Sequence, residues 1–519
     1  MAERRERHSS SARNINDLPV EVIGHILSHV RCVRLVALAC ATCRKWRDAV
    51  KNHLYKITCP FQVLEPWKWK KYEHTITAVV KQTAYLQELS VINGEIRADS
   101  LRVWLKHTRR TLKSFTFLSK TSRGVNILKM LADSKSSVER LEWGDANLPA
   151  LNLAYCNLPS LVLLTLDGGT RKLSIEEIQL LFSSLLKLEN ASLINIVGNR
   201  APSRVVFNLS SSLKTLIMKR VSLDRGDAAN PIDTTLALCA DNLSHFSLMG
   251  LSVNELLSVE VEQVKSLQCL IIQDFDIVRL RFAETLQRLV IWNASIKQME
   301  SKNLMSLTDL TLFKERDLRA IWPIYKITTQ EASTKLRKLR LLGGLPTFAV
   351  EDLRTIACRF PKLRWLALYH QDTLFGQSEK KLPMFRQLID LELYVNNRVT
   401  DHEVFAGWIL KLLQCCPNLK CMAIKLEHRP SEPWAEEIEF PLKLTSVLRN
   451  LIRPYPYVQV RLTTKHPNQL NEIFSRSYWQ TCVDMDLHSG NNQSVDFCVD
   501  KHYCIWLLVL RVMPAYERP

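Results

Sequence analysis

One apolar phrase, Leu-x-x-Leu-x-Leu or a close variant of it, recurs 14 times between Leu86 and Leu419. It reads LQELSV at Leu86, LKSFTF at Leu112, VERLEW at Val138, LVLLTL at Leu161 and LENASL at Leu188. LKTLIM at Leu213, LSHFSL at Leu243, LQCLII at Leu267, LQRLVI at Leu286 and LTDLTL at Leu307 continue it. LRKLRL at Leu336, LRWLAL at Leu363, LIDLEL at Leu388 and LKCMAI at Leu419 close it. A unit of about 26 residues cannot bury its own leucines. Each must be covered by its neighbours, and every side chain so buried contributes roughly 1.5–3 kcal/mol.

Between phrases lie segments of helical periodicity. LSIEEIQLLFSSL (173–185) places apolar residues at 175, 178, 181, 182 and 185, and FAVEDLRTIACRF and TDHEVFAGWILKLLQCC follow the same rule. The period falls within the roughly 20–29 residues of leucine-rich repeats. The expected fold is therefore α/β, a solenoid with a parallel inner β-sheet and outer helices, each repeat a strand plus a helix. The individual periods run from 19 to 31 residues, and the ninth-position Asn occurs only as Asn396, so the array resembles the irregular, helix-backed class. After RPSEPWAEEIEFP the pattern fades, with YVQVRL and CVDMDL as echoes. The domain reading is a disordered basic tail (1–14), a helical head (15–60), a linker (61–79), about 14 repeats (80–430), and degenerate repeats with a C-terminal cap (431–519).

The head reads DLPVEVIGHILSHVRCVRLVALACATCRKWR. Pro19 and Glu21 mark a helix start, with Asp17 as a candidate cap. Ile23, Ile26, Leu27 and Val30 form one apolar face, and a second helix carries Leu35, Leu38, Ala39 and Cys43, followed by Trp46 and Val50. So small a unit has more apolar surface than its own core needs, which points to a partner. Leu18-Pro19-x-Glu21, Ile26-Leu27, Leu35 and Cys43-Arg44-Lys45-Trp46-Arg47 resemble the F-box motif. With the repeats behind it, the chain resembles the F-box/leucine-rich-repeat family, and the two parts span most of its length. The stretch Arg31-Cys32-Val33-Arg34 departs from the motif, being basic where many F-boxes carry an Asp.

That resemblance implies a substrate receptor of a Skp–cullin–F-box ubiquitin ligase. It implies docking on a Skp-type adaptor, and through it a cullin, by Leu18, Pro19, Glu21, Ile23, Ile26, Leu27 and Leu35. It implies no catalytic residues and no cofactor. The alternative is a leucine-rich-repeat interaction scaffold without a ubiquitin role.

By strand alternation, the third, fifth and seventh residues of each phrase face the concave side. Down the array these include Ile217, Met249, Ile271, Val290, Trp292, Phe313, Leu342, Trp365, Tyr369 and Tyr394. Aromatic anchors dominate many interfaces, so Trp292, Phe313, Trp365, Tyr369 and Tyr394 form a candidate patch for an unknown protein substrate. Lys338 and Arg340 lie in the same stretch and suit an acidic or phosphorylated segment.

The net charge of +18 favours an acidic partner, but its basic clusters match no nucleic-acid-binding signature. Residues 1–14 have no apolar core and do not form a secretory signal. CIWLLVLRVM (504–513) is too short to span a bilayer and reads as a buried strand or cap, so no membrane role is expected. The 14 cysteines then suit a reducing compartment, cytoplasmic or nuclear. Cys40-x-x-Cys43 lacks a second pair, and Cys482, His488, Cys498, His502 and Cys504 match no common zinc spacing, so no metal is expected. W67-K68-W69-K70-K71 reads as packing for the linker with its lysines solvated.

Overall fold

The computed structural model describes residues 15–30, 32–60, 69–121, 125–144, 158–198, 204–223, 234–250, 257–261, 264–274, 277–280, 285–293, 296–299, 306–314, 335–343, 350–370, 381–396, 402–427, 447–448, 454–455, 457–465 and 507–510. It divides into two compact units, one holding residues 1–257 with 262–267 and the other 258–261 with 268–519.

All 14 phrases form strands, and each strand starts on the third residue of its phrase. In the first unit these are β2 (Glu88–Ile96), β3 (Ser114–Thr121), β4 (Arg140–Gly144), β5 (Leu163–Asp167), β7 (Asn190–Gly198), β9 (Thr215–Leu223) and β11 (His245–Gly250). In the second they are β13 (Cys269–Gln273), β15 (Arg288–Trp292), β17 (Asp309–Lys314), β18 (Lys338–Gly343), β19 (Trp365–His370), β20 (Asp390–Asn396) and β21 (Cys421–Glu427). Successive strands pair in parallel, phrase position on phrase position: Leu289 opposes Leu310, which opposes Leu339. The first and fourth residues point inward in every repeat; Leu307, Leu310, Leu336 and Leu339 are all buried.

In 12 of the 14 phrases the second residue locks this register. Its carbonyl accepts two backbone N–H groups from the next repeat, as Gln87 does from Lys113 and Ser114 (2.8 and 2.9 Å) and Arg337 does from Arg364 and Trp365 (2.8 and 3.0 Å).

The array starts before the first expected phrase. Leu54-Tyr55-Lys56-Ile57-Thr58-Cys59 has the same frame, and β1 (Lys56–Pro60) pairs in parallel with β2, so the head unit runs directly into the sheet. The linker segment is also structured from Trp69 onward, where helix Trp69–Gln82 buries Tyr72, Ile76, Val79 and Val80. At the other end YVQVRL supplies β22 (Gln459–Lys465), parallel to β21, and Leu507–Leu510 adds β23 antiparallel to β22. CVDMDL and the Cys482 to Cys504 group lie outside the described residues, as do 1–14 and 67–68.

The three segments of helical periodicity are helices: Ile175–Ser184, Val350–Arg359 and His402–Cys415. Ile175, Ile178, Leu181, Phe182 and Leu185 are all buried. A reciprocal cap starts the first of these. Ser174 Oγ accepts from Glu177 N at 3.2 Å while Glu177 Oε2 accepts from Ser174 N at 3.0 Å.

A helix does not back every repeat, which corrects the uniform strand-plus-helix expectation. The first unit carries an outer parallel pair, β8 (Arg204–Asn208) and β10 (Thr234–Cys239). The second carries β12 (Leu257–Val261), β14 (Ile277–Leu280) and β16 (Ile296–Met299), also parallel. Between Leu267 and Leu286 the period shrinks to 19 residues, too few for an inner strand, two turns and a ten-residue helix. A short outer strand fits instead. For β8 and β10 the spacing is longer, and the β-branched content of RVVFN and TTLALC favours the extended form.

The eighth phrase position is left-handed in several repeats: Asp274 (φ 62°) and Asn293 (47°) directly follow the ends of β13 and β15, while Asn195 (61°) and Arg220 (54°) interrupt β7 and β9, whose pairing resumes one residue on. Asn and Asp tolerate that conformation better than most residues. Asn293 Nδ2 also donates to Asp274 Oδ1 at 3.1 Å, tying adjacent turns together.

Leu310→Ala and Leu339→Ala should each cost about 2–5 kcal/mol, because a cavity would open in a layer shared by three repeats. Chemical denaturation checks this, and an unchanged midpoint in both variants would overturn the register.

Candidate docking surfaces

The head consists of α1 (Val20–Val30), α2 (Val33–Thr42) and α3 (Arg44–His53). Ile23 and Leu27 from α1, Val33 and Val36 from α2, and Ala49 and Val50 from α3 close a small core. Gly24 sets the approach of α1 to α3, since a Cβ there would lie 2.4 Å from His53 Cβ and 3.0 Å from its backbone. Ser28 Oγ donates to Gly24 O at 2.9 Å and accepts from Tyr55 N at 3.2 Å, which fastens α1 to the entry of β1. Trp46 Nε1 donates to Asn16 Oδ1 at 2.7 Å and Lys45 Nζ to Asn16 O at 2.6 Å, holding the segment before α1 against α3.

Outside this closed core stand apolar side chains that no described element covers. Leu35 and Leu38, one helical turn apart on α2, are 51% and 57% exposed. Val22 and Val30 on α1 are exposed as well.

On the inner sheet of the second unit, phrase position seven runs through Trp292, Phe313 and Leu342, and Tyr369 opposes Tyr394. The rings fill the face by packing on one another. Trp292 and Phe313 stack with centroids 3.8 Å apart, and Leu342, Ala367 and Tyr394 form a buried cluster against which Phe313 and Trp365 pack. The Arg340 guanidinium sits over the Trp365 ring at 3.9 Å. Tyr394 Oη donates to Glu392 Oε2 at 3.2 Å, and Lys425 Nζ donates to both Glu392 Oε2 and Tyr394 Oη at 2.9 Å.

An F-box-like domain profile matches residues 15–59, the span of the three head helices and most of β1. An F-box/LRR-repeat protein of Arabidopsis thaliana is 28% identical over 417 residues, covering 78% of this chain and 90% of its own length. The chain thus joins a head that matches an F-box-like profile to a leucine-rich-type array, and over most of its length it is similar to an F-box/LRR-repeat protein. Two solved structures are similar in part. The TLR13–ssRNA13 complex shares 16% identity at a TM-score of 0.31, over 73% of this chain and 57% of that one. The LRIM1/APL1C complex shares 13% at 0.27, over 79% and 69%. This chain thus spans less than two thirds of the first of these.

The F-box separates the seven adaptor residues implied by its motif into two sets. Ile23 and Leu27 are interior and belong to the core that holds α1 on α3. Pro19, Glu21 and Leu35 are exposed, and Leu18 and Ile26 are partly so. Val22 and Leu38, which are not in that set, are exposed too. Both sit one position from a core residue in a pattern that helical spacing alone does not resolve.

The concave patch needs a similar correction. Trp292 (8% exposed) and Tyr394 (4%) are buried in the sheet face and do not present open rings, because wide side chains on strands about 4.8 Å apart stack on each other. Phe313, Trp365 and Arg340 are partly exposed and Lys338 is exposed; of Tyr369 only the backbone is described. Cys40 and Cys43 remain free thiols, and burial pushes the Cys40 thiol up. No cluster of metal-ligating side chains occurs among the described residues. No described helix is long and apolar enough to cross a membrane.

Gly24→Ala should unseat α1 from α3. The expected result is faster proteolysis of the F-box, with the circular dichroism of the repeats retained; an unchanged digestion rate would show that α1 has room to shift.

Proposed function

We propose that this chain is the non-catalytic substrate-recognition subunit of a Skp–cullin–F-box ubiquitin ligase. The F-box docks on a Skp-type adaptor, the adaptor links it to the cullin, and the repeats hold the protein to be ubiquitinated. The observation that carries this reading is the pair Leu35 and Leu38, left exposed on a domain whose own core is already closed. Exposed apolar side chains of this size on so small a unit favour a partner surface. Val22 and Ile26 on α1, with Pro19 just before it, are the further residues assigned to docking. For the target, the reading points to the open part of the second unit's inner sheet, with Lys338, Arg340, Trp365 and Phe313 in contact and Tyr369 on the same row.

Leu35→Ala with Leu38→Ala should weaken capture of the purified Skp-type adaptor at least tenfold, roughly 1.4 kcal/mol or more. The melting temperature should not fall, since neither side chain supports the core. Full adaptor binding by the folded double variant would refute the docking face.

A further inference from the structure

In 12 of the 14 phrases the second residue uses its backbone to lock the register and leaves its side chain at the edge of the sheet. In the first unit this edge carries opposite charges on neighbouring repeats. Lys113 pairs with Glu139 (3.4 Å) and Lys214 with Glu189 (2.9 Å). In the second unit the equivalent neighbours are Arg337 and Arg364, joined directly by the hydrogen bond from Arg364 N to Arg337 O (2.8 Å). Lys335 and Lys362 precede the phrases of the same two repeats, and Lys338 follows Arg337 at the start of β18. All five are exposed. Lys338 has Asp309 opposite it on β17 and acts on the charge of Asp390, whereas no acidic side chain among the described residues forms an ion pair with the other four.

Like charges on adjacent strands are unfavourable. The same fold avoids them at the same position elsewhere, so the clustering is not a requirement of the repeat. A ligand that supplies the missing negative charge accounts for it. We propose that Lys335, Arg337, Lys362 and Arg364 form a docking strip for an acidic segment of a partner polypeptide, rich in Asp and Glu. Arginine forks on adjacent rungs match carboxylates two N–H groups at a time. A single-stranded nucleic acid fits less well. Trp365, the aromatic side chain on the neighbouring rung, has Arg340 on its ring and does not leave both faces for base stacking. The proposal deepens the target-holding role of the repeats and rests on it only there; the F-box plays no part in it.

The test uses the purified full chain without adaptor, so its outcome is separate from that of adaptor capture. A short fluorescent peptide of alternating Asp and Glu should bind at low salt and weaken as salt rises. Arg337→Glu with Arg364→Glu should reduce that binding at least tenfold, while Lys214→Ala on the paired edge of the first unit leaves it unchanged. Should the double reversal fail to fold, the Arg337→Gln, Arg364→Gln pair carries the same expectation. Arg364→Glu alone restores an opposite-charge rung, so it should lose peptide while its melting temperature holds or rises. The proposal is overturned if the peptide does not bind at low salt, or if binding is indifferent to these variants. It is equally overturned if oligothymidylate binds more tightly than the peptide and depends on the same arginines.

Discussion

One carbonyl per repeat organises this molecule. The oxygen of the second phrase residue receives two N–H groups from the following repeat, from Tyr55 before β2 through Gln87, Lys113, Glu139, Val162 and Glu189 to Lys214. Gln268, Gln287, Thr308, Arg337, Arg364 and Ile389 do the same in the second unit. Because side chains alternate with period two, a one-residue slip would turn every leucine outward. This paired acceptor prevents the slip in each of these repeats separately. Its consequence is that leucine packing depends on a backbone contact that places no demand on side-chain identity.

The F-box is built into the same scheme. Leu54, Ile57 and Cys59 follow α3 without a break and supply the first strand, and Ala84 N donates to Lys51 O at 2.9 Å across the junction. Glu73 on helix Trp69–Gln82 is 3% exposed and accepts from Arg97 N and Nε at 3.3 Å. Trp104 Nε1 donates to Thr77 Oγ1 at 2.9 Å beside it. A surface presented by α1 and α2 is therefore carried on a base braced by buried polar contacts.

Much of this was readable from sequence because leucine periodicity is a strong, redundant signal. All 14 phrases are strands, and the three helical periodicities are helices. The outer strands β8, β10, β12, β14 and β16 are not legible in the leucine periodicity, although the 19-residue spacing after Leu267 leaves no room for a helix and is a usable sign of β14. β1 escaped because its phrase, Leu-x-x-Ile-x-Cys, sits inside the F-box match. At the sites the limit was different. Helical spacing identifies an apolar face but not which of Val22, Ile23, Ile26 and Leu27 point inward, since that depends on the crossing of α1 and α3 at Gly24. Strand alternation placed Trp292 and Tyr394 on the correct side of the sheet. It could not show that neighbouring rings would consume each other's surface.

The final described strand runs the other way. β23 lies antiparallel on β22, with Val460 opposite Leu510 and Thr463 opposite Leu507. A parallel stack of near-identical layers is open-ended by nature, and its last edge can template a further layer from another molecule. Reversing one strand breaks that translational symmetry. Across β23, therefore, the parallel register that runs up to β22 is not passed on.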